Sequence, residues 1–192
     1  MNRYPFISLI LSGGQSRRMG QDKATLNIAH QPLLSRQVQL LKSFKMPVWV
    51  SGDYPQFNCI KDDSDAKGPL AGIGSAMRAL QSQTDTLFII AVDMPLLTKN
   101  GLSDFLALIT EPERCWFSDK SRFPIWLPIN SRTLQYTQTC EQSGNFALKP
   151  WLLGLSAQAV TCSNQQELTN TNTPEQWQQA IAYLDGETRH ES

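Results

Sequence analysis

The run Leu11-Ser12-Gly13-Gly14-Gln15-Ser16-Arg17-Arg18-Met19-Gly20-Gln21-Asp22-Lys23 places three glycines and three cations within thirteen residues. Without a Cβ, Gly13 and Gly14 let backbone N–H groups approach a ligand closely. Successive N–H groups in such a turn make a concavity for anions. Arg17, Arg18 and Lys23 can add charge-assisted bonds to phosphate oxygens. The chemistry suggested is the binding of a polyphosphate, against the plainer reading of a surface turn with solvated cations. The two commonest nucleotide motifs do not fit. Gly20 is followed by Gln21-Asp22-Lys23 where a Walker loop needs Lys-Ser/Thr, and Met77 stands where the third glycine of a pattern begun by Gly72-Ile73-Gly74 should be.

Three other places carry candidate chemistry. Asp93 ends the apolar run Thr86-Leu87-Phe88-Ile89-Ile90-Ala91-Val92, at the position where open α/β sheets receive ligands. Its carboxylate either holds Mg²⁺ between protein and phosphates or only turns the chain before Pro95. Asp62, Asp63 and Asp65 precede Gly68-Pro69-Leu70-Ala71-Gly72. By spacing alone they read as a solvated loop. Asn172 lies in Thr171-Asn172-Thr173-Pro174-Glu175 and either points back to metal or phosphate or simply precedes a capped helix. The histidines, His30 and His190, fall in a turn and a polar tail, and the four cysteines lie far apart with no C-x-x-C. A Ser-His-Asp machine, a zinc site and a disulfide framework are all disfavoured.

Elements able to position these residues follow from hydrophobic patterning. Phe6–Leu11 and Thr86–Val92 read as buried strands, the second continuously apolar like a central parallel strand covered on both faces. Pro47–Gly52 reads as a strand and its loop, and Asn58–Lys61 as a short extended piece. Leu34, Val38, Leu40 and Leu41 give one helix an apolar face, and Ile73, Ala76, Met77 and Leu80 give another. Asn100–Ile109 reads as the next helix. The resulting order, β-α-β-(β)-α-β-α, implies an α/β chain with a parallel sheet and right-handed crossovers. Beyond Thr110, Cys115–Phe117 and Phe123–Leu127 read as strands, the latter closer to an edge because of its prolines. Helices follow at Asn130–Gln142 and Phe146–Leu153, then a strand at Gln158–Cys162. A last helix has Thr173 as N-cap and Pro174 at its first position. Residues 1–185 form one domain and 186–192 a frayed tail.

A chain of 192 residues can bury a substantial single core. Seventeen basic and seventeen acidic residues cancel, which argues against nucleic acid or an anionic membrane as partner. The apolar run before Leu11 is too short for a signal peptide or a membrane span, so a cytoplasmic location is expected.

The Leu11–Lys23 stretch resembles the signature L-[AS]-G-G-x-[SA]-x-R-M-G-x-D-K of molybdenum cofactor guanylyltransferases, the MobA family of nucleotidyltransferases. Gly68-Pro69-Leu70-Ala71-Gly72 is similar to the family's G-P-L-A-G, and the stretch through Thr171–Glu175 to its N-x-N-T-P-E. The resemblance implies a Rossmann-like three-layer α/β/α nucleotidyltransferase fold with a mostly parallel sheet. It implies transfer of GMP from MgGTP to molybdopterin, giving molybdopterin guanine dinucleotide and pyrophosphate. It also implies roles for residues. Leu11, Ser12, Gly13, Gly14, Lys23, Ser51, Asp63 (or Asp62), Gly68 and Asp93 would contact nucleotide. Arg18, Lys23 and Asp93 would be catalytic, and Asp93 with Asn172 would hold Mg²⁺. Expected partners are GTP and molybdopterin, with transient contact to molybdoenzymes or cofactor-delivery proteins. Departures exist. Ser12 replaces the commoner alanine, Ser51 stands where an asparagine is frequent, and Gly144-Asn145-Phe146-Ala147-Leu148 lacks the arginine pair of a family G-x-R-R stretch. Lys149, with Arg132 or Lys120, is the expected substitute for binding the acceptor phosphate. A relative using CTP or a sugar phosphate, or a non-catalytic nucleotide-binding protein of the same fold, is the competing reading.

Overall fold

The computed structural model describes residues 3–12, 23–61 and 68–188. Its centre is strand β1 (Ile7–Leu11), buried along its whole length, and β6 (Thr86–Ala91), equally buried. The two pair in parallel with Leu11 opposite Ala91. On its other side β1 pairs in parallel with β4 (Val48–Ser51), Leu11 lying opposite Ser51. The short β5 (Cys59–Ile60) follows β4 in the same sense. Between β1 and β4 lie a 3₁₀ turn (Lys23–Thr25), a two-residue ribbon of β2 (Asn27–Ile28) and β3 (Gln31–Pro32), and helix α1 (Leu33–Lys42).

The remaining elements are α2 (Pro69–Leu80), α3 (Lys99–Ala107), β7 (Trp116–Ser118), β8 (Ile125–Pro128), α4 (Ser131–Gln142), α5 (Leu148–Gly154), β9 (Gln158–Val160) and α6 (Pro174–Thr188). The seven-stranded sheet runs β5-β4-β1-β6-β8-β7-β9. Only β8 runs against its neighbours β6 and β7, so the sheet is mostly parallel as expected. The connection through α1 carries the chain leftward from β1, and that through α2 carries it back to β6. Right-handed crossovers therefore put these helices on opposite faces. On the α1 side, Phe44 and Phe105 of α3 both pack on Phe88 of β6. On the α2 side, Arg78 forms an ion pair of 2.6 Å with Glu141 of α4, where Gly74 leaves room for the glutamate. The result is a three-layer α/β/α domain.

One expectation needs correction. β8 is an interior strand, flanked by β6 and β7, and the edge belongs to β9. Pro124 precedes the strand, and Pro128 closes it opposite Thr86. The prolines bracket the strand, so they remove no bond from the middle of the ladder. Of the segment 186–192 expected as a tail, α6 takes in the first three residues, ending at Thr188, and residues 189–192 lie outside the described residues. No described helix is long and apolar enough to cross a membrane.

Candidate active site

The chain leaves β1 for β4 on one side and later returns to β6 on the other. The switch in strand order therefore falls between β1 and β6, and the crevice beyond their carboxyl ends is where such sheets bind ligands. An open cleft of about 290 Å³ lies there, lined by Ser12, Lys23, Asp93, Asn170 and Asn172 on its polar side. Leu11, Pro69, Val92 and Phe123 form its apolar side. A larger hollow of about 390 Å³ beside α4 contains Arg132 but neither Lys23 nor Asp93, so it is not the place for phosphate chemistry.

Lys23 and Asp93 are paired. Lys23 Nζ donates to Asp93 Oδ2 at 3.2 Å, to the Thr171 carbonyl at 2.6 Å and to Asn172 Oδ1 at 3.3 Å. The side chains of the ion pair are only 11% and 16% exposed, so the contact is less screened than a surface pair. The other oxygen of Asp93 accepts from Asn170 Nδ2 at 2.8 Å. The Asp93 carbonyl accepts from the N–H and hydroxyl of Thr171 at 2.8 and 3.2 Å. Residues 170–172 thus strap across the end of β6 and fix the carboxylate. The strap is itself anchored by α6. Gln176 Oε1 accepts from the N–H groups of Asn172 and Thr173, and the Gln176 N–H donates back to Thr173 Oγ1 at 3.3 Å. This is a capping box, and it confirms Thr173 as the cap of the last helix.

Two uncharged oxygens and one carboxylate converge here on Lys23 Nζ, namely the Thr171 carbonyl, Asn172 Oδ1 and Asp93. Asn170 Oδ1 is buried and has no hydrogen-bond partner, an arrangement that is costly unless a ligand completes it. These are hard oxygen donors of the kind Mg²⁺ takes alongside substrate phosphates. Among the described residues no three His, Cys, Asp or Glu side chains converge, so a cation here would rely on one carboxylate and neutral oxygens. The residues fit Mg²⁺.

Of the residues singled out in the sequence, the cleft gathers Leu11, Ser12, Lys23, Asp93 and Asn172. Ser51 is buried one strand away, level with Leu11, and its carbonyl accepts from the Ser12 N–H at 3.3 Å. Gly68 stands at the start of α2 with φ +89°, a left-handed conformation that favours glycine. An added Cβ would lie 3.6 Å or more from its neighbours, so the backbone conformation, not lack of space, requires the glycine. Lys149 is exposed in the first turn of α5 and does not line the cleft. Phe146, three residues before it, lies against Gly68. Gly13, Gly14, Arg18 and Asp63, with the alternative Asp62, lie outside the described residues.

Asn170, Tyr54 and Phe123 were not foreseen as site residues. Asn170 holds Asp93, Phe123 lines the cleft, and the Tyr54 hydroxyl accepts from Ser12 Oγ at 2.8 Å. A usable signal existed only for Asn170, the first asparagine of the N-x-N-T-P-E pattern.

Known proteins resemble this chain in sequence and in fold. The profile of the MobA-like NTP transferase domain matches residues 8–157. The molybdenum cofactor guanylyltransferase of Xanthomonas euvesicatoria pv. vesicatoria is 34% identical, over 92% of this chain and 95% of its own. The protein of the same name from Shewanella loihica is 30% identical, over 92% of this chain and 97% of its own. Among solved structures, molybdopterin-guanine dinucleotide biosynthesis protein A from Archaeoglobus fulgidus superposes with a TM-score of 0.76 at 16% identity, covering 94% of this chain and 99% of that one. A 4-diphosphocytidyl-2C-methyl-D-erythritol synthase from Anaerococcus prevotii superposes at 0.66 with 10% identity, over 94% and 98% of the two chains. These two structures speak for the fold alone, and one fold hosts different chemistries.

Proposed function

Because the chain belongs to the MobA-like NTP transferase family, we propose that it transfers GMP from GTP to molybdopterin, forming molybdopterin guanine dinucleotide and releasing pyrophosphate. The observation that carries the proposal is the Lys23–Asp93 pair, set beside Ser12 in one cleft at the switch point of the sheet. The acceptor's terminal phosphate attacks the α-phosphorus in line. A new P–O bond forms to the acceptor, and the bond to the β-phosphate oxygen breaks. A phosphate nucleophile is already ionised, so no general base is required, and catalysis rests on positioning and neutralising charge.

Each residue then has a task. Gly13 and Gly14 have the task of offering backbone N–H groups to the phosphates, and Arg18 that of adding positive charge. Lys23 stabilises charge developing on the leaving pyrophosphate. Asp93, held by Asn170, and Asn172 would hold the Mg²⁺ cofactor, which would supply charge neutralisation on the phosphates. Leu11, Ser51, Asp63 and Gly68 border the nucleoside, Gly68 through the tight start of α2. Lys149 meets the acceptor phosphate as a single point charge in place of an arginine pair, a reading supported by Phe146, three residues before it, lying against Gly68.

A calorimetric panel with Mg²⁺ tests the reading: GTP should bind more tightly than CTP, ATP or UTP, and equal affinities would refute it. Titrating molybdopterin into the wild type and Lys149→Ala tests the acceptor assignment. Acceptor affinity should fall with GTP affinity unchanged, and unaltered acceptor binding would remove Lys149 from the site.

A further inference from the structure

The three oxygens around Lys23 Nζ are an aspartate carboxylate, a main-chain carbonyl and an asparagine carboxamide. They come from the end of β6 and from the strap at 171–172, 70 to 149 residues away from the lysine. This is a donor set for a hard cation, and an ammonium sits in it. We propose that Lys23 is a built-in competitor for the divalent cation. In the nucleotide-free protein its ammonium holds the oxygen cage, and it leaves only when metal and polyphosphate arrive together. The inference rests on the nucleotidyltransferase reading of the same cleft.

The physics favours exchange over coexistence. A dication and an ammonium within a few ångströms of each other repel strongly in a site so little exposed. Lys23 cannot simply vacate, because Asp93 would be left as a poorly solvated, uncompensated charge. A polyphosphate resolves both problems: its oxygens give the ammonium a new partner, and the cation takes over the carboxylate. Metal and nucleotide binding are thereby coupled, and each must strengthen the other equally. Asn170 Nδ2 keeps its bond to Asp93 Oδ1, so the exchange at Oδ2 leaves the carboxylate in place.

The test is Mn²⁺ alone, with no nucleotide, titrated into full-length protein and followed by the free Mn²⁺ signal in electron paramagnetic resonance. Lys23→Met removes the competing charge and keeps the stem, and should bind Mn²⁺ about 10- to 100-fold more tightly than the wild type. Lys23→Arg, which keeps the charge, should remain at wild-type affinity. Were Lys23→Met too unstable for titration, the rise of its melting temperature with Mn²⁺ reads the same constant, and Lys23→Gln serves as a second neutral variant. A merely structural salt bridge predicts equal Mn²⁺ affinity in wild type and the neutral variants, and that result would overturn the proposal. So would tightening by Lys23→Arg as large as by Lys23→Met. The nucleotide panel is independent: loss of GTP preference would refute the guanylyl assignment while leaving the metal-alone comparison to stand or fall by itself.

Discussion

Replacing Asn170 by leucine separates its part in the reaction from its part in the fold. The variant keeps approximate size and removes the bond from Nδ2 to Asp93 Oδ1, 2.8 Å in length. A hydrogen bond to a charged group contributes about 1.5–3 kcal/mol. The same substitution deletes Asn170 Oδ1, which is buried without a partner, and relief of such an atom returns about 1–3 kcal/mol. The two effects largely offset each other in folding, so stability should change by no more than about 2 kcal/mol. They do not offset each other in catalysis. Asp93 loses the donor that fixes its free oxygen, and if most of the bond serves the transition state, kcat falls by about 10- to 100-fold. Steady-state pyrophosphate release at saturating GTP, beside a urea unfolding curve, measures both. Unchanged kcat would show that Asn170 does not position the carboxylate. A stability loss above about 3 kcal/mol would show that the orphan oxygen does not burden the fold.

Two further outcomes follow from the backbone and the thiols. Gly68→Ala should lower stability by about 1–3 kcal/mol through strain at φ +89° with no steric clash; an unchanged urea midpoint would contradict this. Burial pushes the Cys115 thiol up to about 12, and burial, then Asp104 and Asp119, push Cys162 up to about 11. Unfolded thiols ionise near 9, so the stability tied to these groups is complete below that pH. It is lost as pH rises toward the folded values, at about 1.4 kcal/mol per pH unit for each thiol. Urea midpoints at pH 8 and 10.5 should show the decline, and Cys115→Ala should flatten it; an equal decline in the variant would remove Cys115 as a cause.

Much of the architecture was legible because its signals are local. An almost unbroken apolar run marks β6 as central, Pro69 marks the start of α2, and Thr173 with Pro174 marks the start of α6. Lys23 and Asp93 could each be singled out from their surroundings. That they form one ion pair could not, because the contact joins residues seventy positions apart and depends on the order of strands. Asn170 sits in a run of Asn, Gln and Thr where every residue type suits a solvated loop, and only the tertiary contact distinguishes it. The link from Ser12 to Tyr54 is equally long-range. The prolines around β8 suggested a place closer to an edge, but position decides: Pro124 precedes the strand and Pro128 ends it, where the ladder tolerates them.

The central claim is that this cleft moves the α-phosphate of GTP onto an acceptor phosphate. The direct measurement is to incubate the protein with Mg²⁺, molybdopterin and GTP labelled either at the α- or the γ-phosphate, and to separate the products. The account requires the α-label in a pterin dinucleotide and the γ-label in pyrophosphate, with both transfers abolished in Asp93→Asn and CTP a poor replacement for GTP. Label appearing in orthophosphate, or transfer as rapid from CTP as from GTP, would contradict it.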